Sequence, residues 1–479
     1  LASEVREASD RVRTALRNSG FLLPPKRITV NLSPADIRKE GSIFDLPISI
    51  ALLAAYGYIP NECLENILIV GELALNGDLR NVRGILSIVD FAKKQGIRTV
   101  ILPYENRREA SFISDVTIIG AKSLRQVMEH LTGEKVIQPE TLTDASDENP
   151  DCFQEDFSEI KGQGVLRRAT EIAVAGMHNI LYMGPPGAGK SMAAKRIPTI
   201  MPELTYEESI EITKIYSASG MLEPEQGLLR RRPFRSPHHS ITAQALIGGG
   251  RNPKPGELSL AHRGVLFLDE FLEFQKNVIE MMRQPLEDGS VTISRLQGSY
   301  TFPCDVMLVA AMNPCPCGHY GENNPAHPCT CTPAQIHRYL SRISGPLLDR
   351  IDIQCDIQPV PYSMLKDAQP SESSATMRER VIKAREIQKE RFTSYNATTH
   401  SPIHCNAQMT PKMVREYCKL SDECDRLLAF AMEKMGFSAR AYDRILKVAR
   451  TIADLAQSTE ICPPHLLEAI NYRTLDKMD

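Results

Sequence analysis

The sequence lacks several features that would assign it to a particular class of protein. No unbroken apolar run approaches the roughly 18 residues that a membrane-spanning helix needs, and no segment resembles a secretory signal. Tryptophan is absent, which decides nothing. The formal net charge is only −3, which excludes a polycation, so any contact with nucleic acid must come from local basic patches. We therefore expect a cytoplasmic protein with no membrane partner.

The 479 residues predict two to four domains, which we place by changes in residue pattern. Residues 1–135 alternate helical and strand-like stretches, which predicts an α+β domain. Residues 136–156 are acidic with little apolar periodicity and are predicted to be a linker. Residues 157–361 alternate strands and helices, which indicates an α/β core with a parallel sheet, and residues 362–479 are predicted to be helical. The chain begins with Leu1 and not Met, so we expect an upstream piece.

A glycine-rich turn, "GPPGAGKS", lies between the apolar strand "NILYM" and a helix. It satisfies the phosphate-binding pattern G-x-x-x-x-G-K-[ST], in which backbone N–H groups and a helix N-terminus face phosphate oxygens. Lys190 is predicted to reach the β- and γ-phosphates and Ser191 to bind Mg²⁺. The alternative is a chance glycine turn before a helix. The predicted nucleotide-binding residues of this turn are Gly184, Pro185, Pro186, Gly187, Ala188, Gly189, Lys190 and Ser191.

Further strands end in residues that suit nucleotide hydrolysis. "RGVLFLDEF" is a buried strand followed by Asp269, predicted to hold the Mg²⁺ shell, and Glu270, predicted to orient or deprotonate the attacking water. "DVMLVAAMN" ends in Asn313, whose amide suits the positioning of water against the γ-phosphate. Arg350 and Arg440 follow, and either one would stabilise the charge that develops on the γ-phosphate or form a surface ion pair.

Four of the 12 cysteines cluster directly after Asn313. Because no export signal precedes them, we expect reduced thiols and not a disulfide framework. The spacing C-x-C, eleven residues, C-x-C can close a tetrahedral Zn²⁺ site within residues 313–333, with free thiols or a redox pair as alternatives. His319 or His327 would replace one ligand if a thiolate did not bind. The predicted ligands are Cys315, Cys317, Cys329 and Cys331.

Cations on two insertions are candidates for contact with a nucleic-acid backbone. Arg251 and Lys254 lie on a Pro-rich tip after a run of glycines, and Arg295 lies on a predicted β-hairpin with its turn near Gln297 and Gly298. Cations on mobile tips suit phosphate contacts that do not read bases. The alternative is that they are solvated charges on ordinary loops.

The densest basic run of the chain, "RRRPFR", covers residues 230–235. It would bind nucleic acid or pair with an acidic neighbour in an assembled ring, and we favour nucleic acid. His238 and His239 follow, but they have no partners at a recognisable metal-ligand spacing, so we expect them to make structural hydrogen bonds.

The ordered set "EIKGQ", "GPPGAGKS", "LFLDE", "AAMN", "LLDRID" and "SAR" resembles the AAA+ ATPases of the magnesium-chelatase-like branch. The resemblance implies that Asn313 is a sensor, Arg350 a finger that reaches a neighbouring subunit, and Arg440 a second sensor in a helical lid. It also implies ATP and Mg²⁺ as cofactors, a ring that is usually a hexamer, and pore-facing insertions that grip substrate. The residues that it implies for the adenine pocket are Ile160, Gly162 and Gln163.

The front segments "KEGSIFDLPISIALLAA" and "VGELALNGDLRNVRGILSIVDFAKKQGIRTVILPYEN" resemble the proteolytic domain of Lon proteases. Ile43 stands where that family has its serine nucleophile, and Leu86 stands where it has its lysine. A serine–lysine mechanism needs a hydroxyl and an amine within hydrogen-bond reach, and neither aliphatic side chain supplies one. Ser42 is one position off and has no matching lysine. We therefore expect a degenerate domain that serves assembly or DNA entry.

A degenerate Lon-like front joined to this ATPase is the arrangement of the ComM/YifB family, and the resemblance covers nearly the whole chain. It implies a hexameric, ATP-driven DNA motor with helicase activity that promotes branch migration during natural transformation. One alternative is a magnesium-chelatase-type subunit that drives metal insertion, which the front domain argues against. The other is a nucleotide-gated scaffold, against which Lys190, Asp269, Glu270 and Asn313 argue.

Overall fold

The computed structural model describes residues 3–24, 26–33, 41–141, 153–222, 227–250, 252–295, 298–321, 328–360, 371–399 and 402–473. The chain forms two compact units. Unit 1 consists of residues 1–149, 205–229 and 294–300, and unit 2 contains the rest. Residues 205–229 and 294–300 therefore group with the front of the chain, although the sequence assigned them to the core at 157–361. The predicted domain bounds stay a prediction.

Unit 1 is built on a parallel three-stranded sheet of Ile67–Ile69, Thr99–Pro103 and Thr117–Ala121, with Thr99–Pro103 in the centre. Side chains alternate between the two faces of a strand, so Ile101 enters one core cluster while Val100 and Leu102 enter the other. A short antiparallel pair joins Glu72–Leu73 and Leu79–Arg80. The helices of unit 1 are Ser3–Asn18, Asp45–Ala55, Ile85–Lys94, Arg107–Ser111, Leu124–Leu131 and Tyr206–Ser219, with 3-10 turns at Asn61–Leu64 and Tyr104–Asn106.

The helix Tyr206–Ser219 belongs to unit 1, although in the sequence it follows the glycine-rich turn. Ile210 is buried in the same cluster as Ile85 and Val89. Lys214 Nζ lies 2.9 Å from Asp90 Oδ2. The physical reason for this grouping is therefore a shared apolar core supported by an ion pair, which the order of elements along the chain does not reveal.

The positions that would carry a protease dyad hold apolar residues in unit 1. Leu86 is fully buried, and Ile43 packs against the same core cluster. Ser42 donates a hydrogen bond to Glu72, so its hydroxyl faces a carboxylate and not an amine. The geometry of these described residues provides no serine–lysine pair at the predicted positions.

Unit 2 is built on a parallel five-stranded sheet. Its strands lie in the order Ile353–Asp356, Ile180–Met183, Met307–Met312, Val265–Leu268 and Phe234–Arg235. All residues of the three central strands are buried, as is typical of a parallel sheet covered by helices on both faces. Alternation again separates two cores, with Ile180 and Tyr182 on one face and Leu181 and Met183 on the other.

The other elements of unit 2 are mostly helical. A short strand pair joins Gly248–Gly249 with Lys254–Pro255. A second pair joins Ser290–Arg295 with Gly298–Pro303 and agrees with the predicted hairpin; its residues 294–300 group with unit 1 and the rest with unit 2. The helices are Gly164–Gly176, Lys190–Ile200, Ala243–Ile247, Glu257–Leu260, Lys276–Glu280, Arg283–Asp288, Pro333–Leu340, Gly345–Leu348, Ser374–Asn396, Pro411–Tyr417, Asp422–Met435, Ala439–Leu455 and Pro463–Asn471. The 3-10 turns are Phe157–Glu159, Phe271–Glu273 and Asn406–Gln408.

The C-terminal helices begin at the capping residues that the sequence offers. Ser373, Thr410, Ser421 and Ser438 each accept a hydrogen bond from a backbone N–H of the first turn, which satisfies a donor that the helix itself leaves unpaired. The predicted fold class is confirmed: a mixed α/β chain with a parallel-sheet core and a helical C-terminal region. No helix among the described residues is long and apolar enough to cross a membrane.

Candidate nucleotide site

The glycine-rich turn begins where the central strand Ile180–Met183 ends, and it leads into the helix that starts at Lys190. Gly187 and Gly189 have φ angles of +77° and +91°, in the left-handed region that favours glycine. These angles turn successive N–H groups toward one side, which forms an anion-binding nest. The turn therefore has the geometry that phosphate binding needs.

Lys190 lies folded over this turn. Its Nζ donates to the carbonyl oxygens of Gly184 at 2.5 Å and Pro185 at 2.9 Å, and to Oδ1 of Asn313 at 3.2 Å. Burial lowers the pKa of Lys190 to about 8, and the nearby Asp269 carboxylate opposes this shift. The predicted phosphate-binding lysine and the predicted sensor amide are thus in direct contact.

Ser191 and Asp269 are joined at the same edge of the sheet. The Ser191 hydroxyl donates to Asp269 Oδ2 at 2.7 Å. Hydroxyl and carboxylate oxygens are ligands that Mg²⁺ prefers, and such sites use one or two carboxylates together with phosphate oxygens. The two side chains therefore fit a Mg²⁺ ion that also binds a nucleotide.

Glu270 has an unusual backbone, with φ at +50° in a residue that is not glycine. Its N–H donates to Asp269 Oδ1 at 3.0 Å, which stabilises the turn between the two acids. Its side chain is 63% exposed. A carboxylate that remains open to solvent beside the predicted metal-binding acid suits the positioning of a water molecule.

His239 is a neighbour of Glu270 that the sequence did not reveal, since only structural hydrogen bonds were predicted for this histidine. His239 Nδ1 lies 3.4 Å from Glu270 Oε2, and its ring lies edge-on to Phe274. The ring of His238 lies 4.0 Å from that of His239, and His238 Nδ1 lies 2.8 Å from the Ser240 hydroxyl. The doubled histidine in the sequence was the available signal, but only the fold reveals its carboxylate partner.

A cavity of about 910 Å³ lies beside the glycine-rich turn. It is lined by Lys190, Asp269, Glu270 and Asn313, together with Cys317 and Cys331. Arg338 and Arg342 also line it, and the sequence analysis did not identify either one. Four of the predicted catalytic residues therefore share one cavity.

Gln163 connects the segment predicted for the adenine to the glycine-rich turn. Its buried Nε2 donates to the carbonyl oxygens of Ala188 at 3.0 Å and Gln358 at 2.9 Å. Ile160 is also buried, and Gly162 has a φ of +67°. The assignment of these residues to an adenine pocket stays a prediction.

Arg350 and Arg440 both form ion pairs within their own chain. Arg350 contacts Glu287, and its Nη1 donates to the Pro346 carbonyl at 2.8 Å. Arg440 Nη1 lies 3.2 Å from Asp349 Oδ2. Neither arginine is among the described residues that line the cavity.

The four cysteines converge at one place. Their sulfur atoms lie within 4.8 Å of one another. Cys315 is buried, and the other three are half-buried. A hydrogen bond from the backbone of His319 is the largest cause that lowers the pKa of Cys317, to about 5. His327 lies outside the described residues.

The predicted DNA-contacting residues are only partly described. Arg251 lies outside the described residues. Lys254 is exposed on the short strand Lys254–Pro255, and Arg295 is exposed at the end of Ser290–Arg295. Both described cations are accessible to a ligand.

In the basic run at 230–235, two arginines have structural roles. Arg232 donates to the carbonyl oxygens of Pro202 at 2.7 Å and Arg263 at 2.8 Å. Arg235 makes two hydrogen bonds, of 2.6 and 2.7 Å, with the carboxylate of Glu257. Half-buried partners within the chain therefore accept hydrogen bonds from these two side chains. Nucleic-acid binding by the run stays a prediction.

Three family models match the chain. The model described as "Magnesium chelatase, subunit ChlI" matches residues 156–365. "Subunit ChlI of Mg-chelatase" matches residues 1–106, and "Magnesium chelatase, subunit ChlI C-terminal" matches residues 371–473. Because the model for residues 1–106 carries the same subunit name, the front domain does not by itself argue against a chelatase.

Several relatives match almost the full chain. The uncharacterized protein YifB of Escherichia coli (strain K12) is 44% identical over 475 residues, which cover 99% of this chain and 90% of that protein. The competence protein ComM of Haemophilus influenzae is 44% identical over 482 residues, which cover 99% of this chain and 91% of ComM. The chain belongs to the ComM/YifB family. A more distant relative, the magnesium-chelatase 38 kDa subunit of Rhodobacter capsulatus, is 24% identical over 177 residues, or 33% of this chain and 50% of the subunit.

Membership of the ComM/YifB family confirms the resemblance drawn from the motifs. The family is magnesium-chelatase-like, which makes the chain an AAA+ ATPase related to a competence protein. ATP and Mg²⁺ are the cofactors that this family implies. The lysine, hydroxyl and acid side chains described above fit both of them.

Proposed function

We propose that this ComM/YifB-family chain is an ATP-driven DNA motor with helicase activity, which promotes branch migration of recombination intermediates during natural transformation. It acts in the cytoplasm as a homo-hexameric ring with single-stranded or branched DNA in a central pore. The observation that carries the ATP-driven part is the pair of contacts between Ser191 and Asp269 at 2.7 Å and between Lys190 and Asn313 at 3.2 Å. The proposal also includes Zn²⁺ held by the four cysteines, as a structural and not a catalytic ion.

Five residues at the site have a defined part in hydrolysis. Lys190 offsets negative charge on the phosphates, and Ser191 and Asp269 would hold a Mg²⁺ ion, which would neutralise further phosphate charge. Glu270 orients the attacking water and accepts its proton, and the Asn313 amide fixes the position of that water. The contact between Lys190 and Asn313 supports this assignment, since it unites the phosphate-binding group and the sensor.

Arg350 acts as a finger on the nucleotide of a neighbouring protomer, and Arg440 acts as the second sensor of the helical lid. Arg350 pairs with Glu287 and Arg440 with Asp349, and neither arginine is among the described residues that line the cavity. From such a position Arg350 would reach the γ-phosphate of another subunit, as an arginine finger supplied in trans does. This reach supports a ring with shared sites.

DNA as the substrate is supported by a relative and by charge. The relative ComM is named a competence protein, and Lys254 and Arg295 are exposed cations on two hairpin-like insertions. Cations at such places suit contacts with phosphates that carry no base information. A chelatase-type subunit is the second candidate, because all three family models are described by a chelatase subunit.

The experiment that tests the proposal measures ATP turnover and strand displacement together. We expect phosphate release to rise when branched or single-stranded DNA is added, and a labelled strand to be displaced from a three-way junction. Lys190→Ala must abolish both signals. ATP turnover that does not change with DNA but responds to a porphyrin or a chelatase partner would favour the second candidate and contradict the first.

A further inference from the structure

The cysteine cluster forms part of the wall of the nucleotide cavity. Cys317 and Cys331 line it together with Lys190, Asp269 and Asn313. The two cysteines come from separate segments, one directly after the strand Met307–Met312 and the other directly before the helix Pro333–Leu340. A bond between the two segments would therefore also fix the shape of this part of the cavity wall.

The sulfur atoms have the spacing of a tetrahedral metal site. Cys315 Sγ lies 3.3 Å from Cys317 Sγ and 3.8 Å from Cys329 Sγ, and the distance between Cys317 and Cys329 is 3.6 Å. A tetrahedral ion with Zn–S bonds of about 2.3 Å separates its sulfur ligands by about 3.8 Å. All four sulfur atoms, including that of Cys331, are close enough to share one ion.

The chemistry of the donor set selects the class of metal. Four thiolates are soft ligands, which favour Zn²⁺ or iron over Mg²⁺ and Ca²⁺, and tetrahedral sulfur geometry is typical of Zn²⁺. The polar segments around the cysteines cannot bury enough apolar area to hold this geometry unaided. Binding of an ion would contribute the free energy that these segments need in order to fold locally.

The first cysteine pair is packed directly on the glycine-rich turn. The N–H of Gly318 donates to the Cys315 carbonyl at 3.0 Å, which closes a tight turn around Cys317. Gly318 has a φ of +88°, and a Cβ atom there would lie 2.8 Å from Cδ of Pro186. The glycine thus permits a close approach between the cysteine turn and the loop that holds the phosphates.

We propose that a Zn²⁺ ion bound by Cys315, Cys317, Cys329 and Cys331 clamps residues 313–318 to residues 328–332 and so positions the glycine-rich turn and Asn313 for ATP. Loss of the ion releases one wall of the cavity and weakens nucleotide binding. The inference rests on the proposed function in that the cavity binds ATP and the four cysteines hold Zn²⁺, and it does not depend on DNA.

The test uses the full chain without a histidine tag, since such a tag would itself bind zinc. Metal content is measured by mass spectrometry, and nucleotide affinity is measured with a fluorescent methylanthraniloyl-ATP probe in Mg²⁺. We expect one zinc per chain, and we expect its removal to raise the dissociation constant on the order of tenfold, as loss of a supporting shell around a site does. Adding Zn²⁺ back must restore the affinity, which controls for damage by the chelator.

Matched variants separate ligation from folding. Cys329→Ser should lose the zinc and the affinity together, whereas Cys329→His should retain both, because a Cys₃His set also binds Zn²⁺. Cys63→Ser is the control, since Cys63 is half-buried like Cys329 but lies in unit 1, outside the cluster. If Cys329→Ser does not fold, the chelated and reloaded wild-type chain still decides the question.

Two results would overturn the inference. One is a wild-type chain that holds no zinc, or holds iron in its place, even after incubation with Zn²⁺. The other is a zinc-loaded chain whose affinity for the probe does not change when the zinc is removed. Failure of the proposed DNA motor can be distinguished from failure of this inference. A chain whose ATP turnover does not respond to DNA can still bind the nucleotide probe in a zinc-dependent way.

Discussion

At the scale of single residues, Glu270 combines a left-handed backbone with a carboxylate that is left open to solvent. A residue other than glycine in this region costs on the order of 1 kcal/mol and persists only where its surroundings hold it. Here the Glu270 N–H is bound to Asp269 Oδ1 at 3.0 Å, and His239 Nδ1 lies 3.4 Å from the side chain. The two contacts fix the acid from both its backbone and its side chain.

His239 is therefore expected to position Glu270 without touching the nucleotide. We predict that His239→Ala lowers kcat for ATP hydrolysis about tenfold, the size of effect typical of a group that orients a catalytic residue. KM for ATP should stay nearly unchanged, because the phosphate-binding groups remain. His239→Gln should recover part of the rate, since its amide can still donate to the carboxylate.

The matched control for that measurement is His238→Ala. His238 lies against the His239 ring but bonds to Ser240. Its removal should have a smaller effect on kcat than removal of His239. Equal losses in the two variants would argue against a specific contact with Glu270.

Lys190 predicts a pH dependence of nucleotide binding. Burial lowers its pKa to about 8 in the free chain, and bound phosphates would raise it because they favour the ammonium form. Below pH 8 the ammonium is already present, so affinity should change little. Above pH 8 binding must take up a proton, so the dissociation constant should rise by up to about tenfold per pH unit. Calorimetry in buffers of different ionisation enthalpy measures this proton uptake, and Lys190→Met should abolish it.

At the scale of elements, a buried polar network joins an edge strand of the unit 2 sheet to the C-terminal helices. Asp352, directly before the strand Ile353–Asp356, contacts Arg444 and lies 3.2 Å from His178 Nδ1. His178 Nε2 lies 2.8 Å from the Thr451 hydroxyl, in the helix Ala439–Leu455. Although burial alone would raise the pKa of Asp352, the charge of Arg444 and the hydrogen bond with His178 outweigh it and hold that pKa well below its usual range.

This network predicts that removal of the single negative charge of Asp352 strongly lowers the stability of the fold. Asp352→Asn should lower the free energy of unfolding by about 3 kcal/mol at pH 7, because it leaves Arg444 without its buried partner. The stabilisation from a carboxylate with a lowered pKa is present above the unfolded-state value of about 3.9 and is lost as pH falls through the folded-state value. The difference between wild type and variant in denaturant unfolding should therefore shrink in acid.

Asp356→Asn is the control for this measurement, since Asp356 lies at the exposed end of the same strand. It should change the free energy of unfolding by less than about 1 kcal/mol, as surface substitutions do. If the two variants were equally stable, Asp352 could not be the group that joins the strand to the helices.

The sequence predicts those parts of the site that lie at the ends of consecutive strands. Lys190, Asp269 and Asn313 follow buried apolar runs, and the carboxyl ends of parallel strands meet at one edge of the sheet. The partners of His239 and Arg350 could not be predicted in this way, because each depends on packing between segments that are distant in the chain. The grouping of Tyr206–Ser219 with unit 1 was missed for the same reason, since apolar periodicity predicts a helix but not the surface that it covers.

At the scale of the whole molecule, sites shared between protomers predict complementation. Lys190→Ala and Arg350→Ala should each lack ATPase activity alone. The first variant has no lysine to bind the phosphates, and the second has no arginine finger. In an equal mixture that assembles at random, about a quarter of the interfaces join an intact Lys190 to an intact Arg350. Phosphate release should therefore recover to about that fraction of the wild-type rate.

Gel filtration shows whether the mixed chains assemble. The control is the same mixture at a protein concentration too low for assembly. Assembly without any recovered turnover would contradict a finger that acts in trans. An Arg350→Ala chain that is fully active by itself would also contradict it.

The path of the chain through the two units limits how the molecule can be dissected. Ile210 lies in the buried cluster of unit 1, although the helix that carries it follows the glycine-rich turn in the sequence. A fragment that starts at residue 157 would still contain this helix but none of the strands whose apolar side chains cover it. Such a fragment should be recovered mostly as aggregate, because the apolar side of the helix would be exposed. Loss of activity after deletion of the front domain would then result from this exposed apolar surface and would not measure the domain's contribution to the action on DNA.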